Sequence, residues 1–352
     1  MNTTNSTFNP STINATIGWQ SGPTIDPLLV KILHGIFAAL AILGNLFVCL
    51  IVCSSKSLYQ QTSSKFVLSL ATVDALTGVI VFIAPRSILD GVFILRPGPS
   101  TDVLCAILYS DYFFYSFGII SVYLITGLNI ERCFMIVKPL QYRVVFKSRL
   151  TNAIIAIAFI LGFVVNAPNL YQSHYDARGF CNWRDLPGGL VLNQVIYFIL
   201  FMVKFVIPLG VSFICYGLII WRFKKSSRSF TTMENCKVHG DWNVSMIRQI
   251  TIMAFTTTLV YFICWAPNQI YFTLINFKVL PLQHFPRFFF VILIMINSVV
   301  NPIIYMSTYY RYRQQCRRIF LNLRASFISS TQSRSSIVMS SKHSHNQISP
   351  SL

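Results

Sequence analysis

An acidic side chain lies in the middle of an apolar stretch that is long enough to cross a membrane. Asp74 falls within residues 66–89, which are mostly apolar and predict a membrane-spanning helix. A carboxylate at the centre of a bilayer costs about 3 kcal/mol or more, so a chain that keeps one there uses it for function rather than for packing. Comparable apolar stretches hold three further polar features, namely Asn45, Glu131-Arg132 and Asn301-Pro302.

The composition is that of a membrane protein with several spans. Of the 352 residues, 54% are hydrophobic and only 11% are charged, with a mean hydropathy of +0.59. Seven stretches are long enough to cross a hydrocarbon layer of about 30 Å as helices. They lie near residues 28–53, 66–89, 103–131, 150–171, 189–223, 250–276 and 286–308. We therefore predict an all-α membrane protein, with a seven-transmembrane helix bundle over residues 28–308.

The distribution of basic residues orients the bundle in the membrane. The net charge is +18. With the N-terminus outside, most Lys and Arg residues fall on the cytosolic side, which is the usual asymmetry of membrane proteins. The sequence therefore predicts a multi-pass plasma-membrane protein with an extracellular N-terminus. Nucleic acid is not expected as a partner, because binding it requires a basic face in water.

Residues 1–27 form a polar segment on the predicted outer side. They contain three Asn-x-Ser/Thr triplets, which begin at Asn2, Asn5 and Asn14 and are acceptors for N-linked glycans. We therefore expect an extracellular glycosylated tail.

The predicted positions of the nine cysteines leave two that could form a disulfide. Seven lie in predicted helices or on the cytosolic side, which is a reducing compartment. Cys105 lies at the outer end of the third span, and Cys181 lies in the outer loop between the fourth and fifth spans. We expect these two to form a disulfide that holds the loop over the bundle. Two unpaired thiols on the outer side are the alternative.

A series of motifs follows in order along the spans. They are Gly44-Asn45, Leu70-Ala71-Thr72-Val73-Asp74, Glu131-Arg132-Cys133 followed by Pro139-Leu140, Pro208 with Tyr216, Cys264-Trp265-Ala266-Pro267, and Asn301-Pro302-Ile303-Ile304-Tyr305. Over about residues 28–321 this series resembles that of the rhodopsin-like (class A) G-protein-coupled receptors. The resemblance implies a receptor rather than an enzyme, without a cofactor, that binds an extracellular ligand and activates a heterotrimeric G protein.

Six polar side chains of the spans should face one another, because polar groups in lipid need partners inside the bundle. They are Asn45, Asp74, Ser121, Asn297, Ser298 and Asn301. The resemblance implies that all of these except Asn45 hold an allosteric Na⁺ in the resting receptor. A polar network that only stabilises the bundle is the alternative, and the two interpretations are compatible.

Prolines and aromatic residues predict how the helices move. Pro208, Pro267 and Pro302 each remove a helix hydrogen bond and favour a kink. The resemblance implies that Trp265 is a switch at the pocket floor, and that opening of the sixth helix uncovers Arg132, which is paired at rest with the acidic residue before it. The other residues implied in switching or G-protein docking are Leu140, Tyr216, Tyr261 and Tyr305. A salt bridge at the membrane edge, without a signalling role, is the alternative for the arginine.

The segment after the seventh span predicts a short helix on the membrane surface. Within residues 309–323, apolar positions recur at helical spacing among four arginines, which is typical of an amphipathic helix on the lipid of the inner leaflet. Cys316 in this segment is a candidate for palmitoylation. Residues 324–352 are rich in Ser and predict a disordered cytosolic tail, which a receptor kinase would phosphorylate and arrestin would bind. A Ser-rich tail without that role is the alternative.

Several positions depart from the family pattern. Cys133 replaces the aromatic residue after the third-helix Arg, and Tyr261 replaces a Phe of the sixth helix. Ile247 occupies the position where many members have an acidic partner for that Arg, so we expect measurable basal activity. Cys105 lies 27 residues before Arg132. This interval is longer than is typical of the family and predicts a bulged or shifted start of the third helix.

The outer half of the bundle should form the ligand pocket. Its expected lining residues are Arg86, Asp111, Phe114, Tyr115, Asn193, Lys204, Trp265, Asn268, Gln269, Tyr271 and Met295. Asp111 and Lys204 are ionisable groups inside helices, which either pair with each other or bind charges of the ligand. A peptide with a carboxylate or an amide fits this lining better than an amine, which Lys204 would repel. A biogenic amine or another small molecule is the alternative.

Two other classes of function are disfavoured. Buried Asp and Lys also occur in ion and proton transporters, but those commonly contain internal repeats, and we find no repeat in this sequence. An intramembrane enzyme would need paired carboxylates, a Ser/His pair or a His-rich metal cluster within the spans, and the sequence has none. The receptor prediction therefore takes precedence, with a transporter as the remaining alternative of another class.

Overall fold

The computed structural model describes most of the chain between its two tails. It covers residues 26–84, 87–88, 98, 100–176, 179–230, 241–280, 284–322 and 324–325, and only the backbone is described for residues 224–230, 241–247 and 284–287. The glycan acceptors Asn2, Asn5 and Asn14, the pocket candidate Arg86, and the Ser-rich tail from residue 326 onward lie outside the described residues.

The described chain is almost entirely helical. Two π-helical segments, Cys105–Tyr109 and Met202–Val206, interrupt α-helical stretches. The elements in order are α1 (Pro27–Cys53), α2 (Lys56–Tyr59), α3 (Thr62–Ile83), α4 (Thr101–Leu104), α5 (Tyr112–Val137), α6 (Pro139–Val145), α7 (Ser148–Val164), α8 (Ala167–Gln172), β1 (Ser173–Tyr175), β2 (Cys181–Trp183), α9 (Gly189–Phe201), α10 (Ile207–Phe230), α11 (Asp241–Asn276), α12 (His284–Thr308) and α13 (310–322).

Seven helical spans confirm the predicted bundle. Each is long and apolar enough to cross a bilayer. The first to seventh spans are Pro27–Cys53, Thr62–Ile83, Thr101–Val137, Ser148–Gln172, Gly189–Phe223, Arg248–Asn276 and Phe288–Thr308. The helix α13 follows the seventh span, as the amphipathic pattern predicts.

Two span boundaries differ from the prediction. The second span ends at Ile83 rather than near residue 89, because Ala84 precedes a proline and has an extended backbone (φ −68°, ψ 125°). The third span continues beyond residue 131 to Val137 and ends just before Pro139. Charged residues near the end of an apolar stretch did not end this helix, because the bundle provides partners for them.

The third span lies at the centre of the bundle. It packs against the second, fourth, fifth and sixth spans and is buried over most of its length. The first span is peripheral: Ala38, Ala41, Asn45 and Val48 recur every three or four residues and are buried, whereas Leu43 between them is exposed. One side of each outer span therefore packs on the bundle, and the other presents apolar side chains to lipid.

The third span begins irregularly. The long interval between Cys105 and Arg132 predicts such a start. Cys105–Tyr109 is a π segment, which holds more residues per turn than an α-helix. Asp111 then adopts a left-handed backbone (φ 54°) before α5 begins at Tyr112. These two features absorb the additional residues at the outer end, so that the remainder of the span is a regular α-helix.

The predicted disulfide is present and holds a β-hairpin over the end of the bundle that the charge distribution predicts to be extracellular. We call this the outer end and the opposite one the cytosolic end. The disulfide joins Cys181 of β2 to Cys105 of the third span, with Cα atoms 5.5 Å apart. Ser173 Oγ in β1 donates to the carbonyl of Cys105 at 3.0 Å, and the Tyr175 N–H donates to Asp102 Oδ1 at 2.8 Å. Both strands of the hairpin are thereby fixed to the start of the third span.

The helix α13 packs its apolar side on the cytosolic end of the bundle. Tyr312 is buried, and the ring of Phe320 lies 6.3 Å from that of Phe47 in the first span. Cys316 is half-buried and packs against the core on the same side. Its lipidation stays a prediction.

Candidate ligand-binding and signalling site

A cavity opens at the outer end of the bundle, between the β-hairpin and the third, fourth, fifth and sixth spans. It holds about 840 Å³ of empty space, including its open mouth. Aromatic rings provide most of its apolar surface, and carboxamides provide much of its polar surface. The described lining residues are Ser110, Asp111, Tyr115, Asn166, Asn169, Trp183, Tyr197, Leu200, Phe201, Lys204, Asn268, Gln269, Phe272, Thr273, Ile275 and Asn276.

Lys204 is the basic residue among the described residues that line this cavity. Its Nζ donates to Oδ1 of Asn166 in the fourth span at 2.9 Å. Asn166 is itself buried and oriented, because its Nδ2 donates to the carbonyl of Gly162 at 2.8 Å. An ammonium group has three donors, and Asn166 satisfies one of them with a neutral oxygen. A negatively charged group of a ligand would therefore complement Lys204.

Proline explains why Lys204 occupies this position. Pro208 has no N–H, and its ring conflicts with the carbonyl of the residue four positions earlier, which is Lys204. The fifth span accommodates the proline with the π segment Met202–Val206, a form that helices often adopt at functional sites. Lys204 lies within that segment and reaches across to the fourth span.

Five of the predicted pocket residues line the cavity. The five are Asp111, Tyr115, Lys204, Asn268 and Gln269. Their binding of a ligand stays a prediction.

The remaining described candidates do not line this cavity, and their binding of a ligand also stays a prediction. Phe114 packs its ring edge-on against Tyr115, Tyr271 packs against Phe290, and Asn193 accepts a hydrogen bond from the Leu186 N–H at 3.4 Å. Trp265 and Met295 are fully buried in the core. Because a π segment and a left-handed residue precede α5, sequence spacing alone does not predict which side of the third span faces the cavity.

Sequence reasoning also missed several aromatic lining residues. Tyr197 and Phe201 precede Lys204 by seven and three residues, so helical spacing could have placed them on its side of the fifth span. Phe272 lies on the sixth span, three residues after the predicted Gln269. Trp183 reaches the cavity from β2, and its location depends on a short hairpin that has no strand-like sequence pattern.

Asp74 lies at the centre of a buried polar cluster. Oγ of Ser298 and Oγ of Ser121 donate to its Oδ1 at 2.9 and 3.4 Å, and Nδ2 of Asn301 donates to its Oδ2 at 2.7 Å. Asn45 Nδ2 donates to the carbonyl of Ser298 at 2.9 Å. The first, second, third and seventh spans are therefore joined around one carboxylate.

Three amide oxygens at the same cluster have no hydrogen-bond partner among the described residues. They are the buried Oδ1 atoms of Asn45, Asn297 and Asn301. Hard cations prefer carboxylate, carbonyl and other oxygen ligands. The carboxylate of Asp74 and the amide oxygens of Asn297 and Asn301, which belong to the ligand set predicted for Na⁺, are thus of the type that suits a hard cation.

Trp265 lies against the third span at a position that has no side chain. Its indole stacks on Tyr261, with ring centroids 5.5 Å apart and planes at 14°. A Cβ added to Gly118 would lie only 2.0 Å from the indole. Pro267 lies inside α11 two residues after Trp265, as Pro302 lies inside α12. The position of the indole therefore depends on the glycine that faces it.

A buried ion pair lies at the cytosolic end of the third span. Arg132 Nε is 3.0 Å from Glu131 Oε2, and both side chains are almost fully buried. The Ser63 hydroxyl lies 3.1 and 3.2 Å from the two oxygens of this carboxylate, and the Tyr142 hydroxyl of α6 donates to Oε1 at 2.6 Å. Burial, together with the negative charge of Glu131, raises the pKa of Tyr142 well above its usual value. The hydroxyl of Tyr142 therefore remains a donor at neutral pH.

Arg132 retains donor capacity beyond this pair. Its Nη1 contacts the sulfur of Met135 at 3.5 Å, and its Nη2 has no hydrogen-bond partner among the described residues. Ile247 belongs to the stretch of α11 whose side chains are not described. The polar contacts of Arg132 that the structure describes thus lie within its own helix.

A second polar network joins the third, fifth and sixth spans close to Arg132. The Tyr216 hydroxyl donates to Asn129 Oδ1 at 2.7 Å. Asn129 Nδ2 in turn donates to Ser212 Oγ at 2.9 Å and to Thr258 Oγ1 at 3.0 Å. These bonds hold the cytosolic half of the sixth span against its neighbours.

The last two predicted signalling residues lie at opposite extremes of exposure. Tyr305 of the seventh span is buried, and its hydroxyl has no hydrogen-bond partner in the described part of the chain. Leu140 of α6 is 82% exposed on the cytosolic side.

These features together are those of a seven-transmembrane receptor. A family model described as "7 transmembrane receptor (rhodopsin family)" matches residues 44–305. The chain therefore belongs to the rhodopsin family of seven-transmembrane receptors, as its motifs predict, and this family consists of receptors rather than enzymes.

Curated relatives cover most of this chain. The neuropeptide S receptor of Mus musculus is 28% identical over 283 residues, which are 75% of this chain and 72% of that receptor. The substance-P receptor of Aquarana catesbeiana is 22% identical over 339 residues, with coverages of 91% and 78%. The adenosine receptor A2a of Canis lupus familiaris is 25% identical over 307 residues, with coverages of 80% and 69%.

The packing of Trp265 predicts the effect of one added methyl group. Gly118→Ala should force the indole out of its position and lower the free energy of unfolding by about 1–3 kcal/mol, as overpacking typically does. Thermal unfolding of the purified protein measures this. Gly210→Ala is the matched control, because no heavy atom lies within 4 Å of the Cβ it would add. Equal melting temperatures for the two variants would contradict this packing.

Proposed function

We propose that this chain is a plasma-membrane receptor, with its N-terminus outside the cell, that converts the binding of an extracellular peptide into activation of a heterotrimeric G protein. The observation that carries the proposal is Arg132, a buried arginine at the cytosolic end of the central span, which is paired with Glu131 and retains donor capacity. The outer cavity and the family membership support the same conclusion.

Activation on this proposal is a shift between two populations. A ligand that contacts the hairpin and the outer ends of the third, fifth and sixth spans favours the state that it binds more tightly. Pro267 weakens the sixth span next to Trp265, so the cytosolic half of that span can swing outward. Outward movement breaks the contact of Thr258 with Asn129 and exposes Arg132 to the G protein. Leu140 then provides an apolar contact in the second cytosolic loop.

The lining of the cavity supports a peptide rather than an amine. The carboxamides of Asn268, Gln269 and Asn276 offer donors and acceptors suited to a peptide backbone, and Lys204 would repel a cationic ligand. Two of the relatives are receptors for neuropeptide S and substance P by name. A biogenic amine or another small molecule is the alternative ligand, which the adenosine receptor relative favours.

Removal of the central arginine tests the receptor proposal. Arg132→Ala and the wild type are expressed in cells with a panel of G-protein activation sensors, first without ligand and then with peptide and amine libraries. We expect basal or evoked signal in the wild type, because Ile247 provides no acidic partner for Arg132, and loss of that signal in Arg132→Ala. Arg149→Ala, which changes an exposed arginine at the start of the fourth span, should signal normally at equal surface expression.

Two results would contradict the receptor proposal. The first is a signal that survives undiminished in Arg132→Ala. The second is a wild-type chain that reaches the cell surface and stays silent with every ligand, in which case the transporter alternative gains support and ion-flux recording is the next measurement.

The cavity predicts which agonists depend on Lys204. For an agonist with a free carboxylate, Lys204→Gln should raise the half-maximal concentration about 10–100-fold, because a hydrogen bond to a charged group contributes about 1.5–3 kcal/mol. The same agonist with its carboxylate amidated should be affected little. Lys278→Gln is the control, since Lys278 is exposed and pairs with Asp185 at 2.8 Å on the outer rim. Equal losses for the acid and the amide would reject the carboxylate contact.

We also propose that Asp74 binds an allosteric Na⁺ together with Ser121, Asn297, Ser298 and Asn301. The unpartnered amide oxygens of Asn297 and Asn301 and the carboxylate of Asp74 support this, since they are the ligand types that a hard cation prefers. The bound cation would link the second, third and seventh spans and favour the resting arrangement.

Replacement of the carboxylate tests the cation proposal. Agonist binding to the wild type should weaken as Na⁺ replaces a large organic cation at constant ionic strength, and Asp74→Asn should abolish this dependence because it removes the only formal charge of the donor set. Asp185→Asn, on the outer surface, should retain it. Radioligand or fluorescent-agonist binding measures both, and an unchanged Na⁺ dependence in Asp74→Asn would exclude this site.

A further inference from the structure

Two free thiols meet between the third and fifth spans, near the cytosolic end of the bundle. Cys133 lies in α5 and Cys215 in α10, and a hydrogen bond joins their side chains. Both side chains are 7% exposed and belong to a small apolar cluster with Tyr216 and Ile219, separate from the main core. Because the family pattern has an aromatic residue at the position of Cys133, this pair is a feature of the present chain.

Helical register places the two thiols opposite each other. One turn earlier, Asn129 Nδ2 of the third span donates to Ser212 Oγ of the fifth span at 2.9 Å. Cys133 follows Asn129 by four residues, and Cys215 follows Ser212 by three. Each cysteine therefore lies one turn further along its helix, on the side that faces the other helix. The third and fifth spans run in the same direction, since two crossings of the membrane separate them. The contact between the thiols thus follows from the packing of the two spans.

Thiols that contact each other on neighbouring helices can be oxidised to a disulfide. The bond requires two Cβ atoms that point towards each other, and hydrogen-bonded thiols on packed helices provide this arrangement. Disulfides on the cytosolic side are usually transient and redox-sensing, because that compartment reduces them again. Cys133 lies one turn before the end of α5 at Val137, so a small uncharged oxidant has a short path to the pair from the cytosolic side.

We propose that Cys133 and Cys215 are a modification site at which a peroxide forms a reversible disulfide between the third and fifth spans. One sulfur attacks an oxygen of hydrogen peroxide, which gives a sulfenic acid and one water. The second sulfur then attacks the sulfenic sulfur, which forms the S–S bond and releases the sulfenic oxygen as a second water. Two thiols thus lose two electrons and two protons, and one hydrogen peroxide is reduced to two waters. Exchange with glutathione thiols reverses the bond.

The disulfide would favour the resting arrangement of the receptor. Cys215 directly precedes Tyr216, whose hydroxyl donates to Asn129 at 2.7 Å. The ring of Tyr216 packs edge-on against Phe255 of the sixth span, with centroids 5.1 Å apart. A covalent bond beside Tyr216 keeps these contacts together, so the oxidised receptor should activate less G protein at the same agonist concentration. This consequence rests on the proposed function, whereas formation of the disulfide does not.

Mass spectrometry of the full-length receptor in isolated membranes tests the disulfide directly. The membranes are treated with hydrogen peroxide, free thiols are blocked with N-ethylmaleimide, and the protein is digested with trypsin without reduction. Tryptic cleavage places the two cysteines on separate peptides, 133–143 and 205–222. We expect these peptides to be linked after peroxide and separate after a further treatment with dithiothreitol. Separate oxidation of each thiol without a linked peptide would overturn the proposal.

Matched variants distinguish this pair from general oxidation. Cys133→Ser and Cys215→Ser each remove one partner, so peroxide should give no linked peptide and should no longer lower the agonist response. Cys264→Ser removes a thiol of the sixth span that is 5% exposed, and this variant should form the link to the same extent as the wild type.

Signalling of the wild type provides the second measurement. G-protein activation by an agonist should fall in proportion to the linked fraction and return after dithiothreitol. An equal loss of signal on peroxide treatment in Cys133→Ser would overturn the effect on the resting arrangement. The linked peptide requires neither agonist nor G protein, so it decides on the disulfide even if the proposed function is wrong.

Discussion

In a lipid bilayer, a polar group that finds no partner inside the protein is costly, and this constraint governs the arrangement of the bundle. Asp74 receives hydrogen bonds from the third and seventh spans, and Asn45 ties the first span to the seventh. The apolar surfaces of the helices cannot provide this specificity, because lipid chains are as apolar as the side chains that face them. The rotation of four spans is therefore determined by contacts around a single carboxylate.

The same constraint explains what could be predicted from the sequence. The seven spans could be predicted from the lengths of the apolar stretches. Polar groups in lipid need partners inside the bundle, so it could also be predicted that Asp74, Ser298 and Asn301 face one another. The predicted end of the second span was wrong because the apolar stretch continues beyond Ala84, whose extended backbone ends the helix. The lining of the outer cavity was predictable only in part, since it depends on π segments and a hairpin that shift side chains by fractions of a turn.

The two π segments lie in the outer half of the bundle, where one is next to the hairpin and the other lines the cavity. The π segment that begins at Cys105 accompanies the disulfide that holds the hairpin, and the one that contains Lys204 precedes Pro208. A regular helix at either place would rotate the side chains that follow relative to the cavity. The departures from α-helical geometry are thus part of how the cavity obtains its aromatic and charged lining. The sequence identified Lys204 as an ionisable group inside a helix, but it did not identify its partner Asn166.

At the cytosolic end, the described polar contacts of Arg132 are with residues of the third span, whereas those of Glu131 also include the second span and α6. The carboxylate of Glu131 is held by the second span through Ser63 and by α6 through Tyr142, so its position does not depend on the sixth span. Contact between the sixth span and this region depends instead on neutral bonds such as that of Asn129 with Thr258. Neutral hydrogen bonds contribute only about 0.5–1.5 kcal/mol each. A small difference in ligand affinity between two states is therefore sufficient to change which of them predominates.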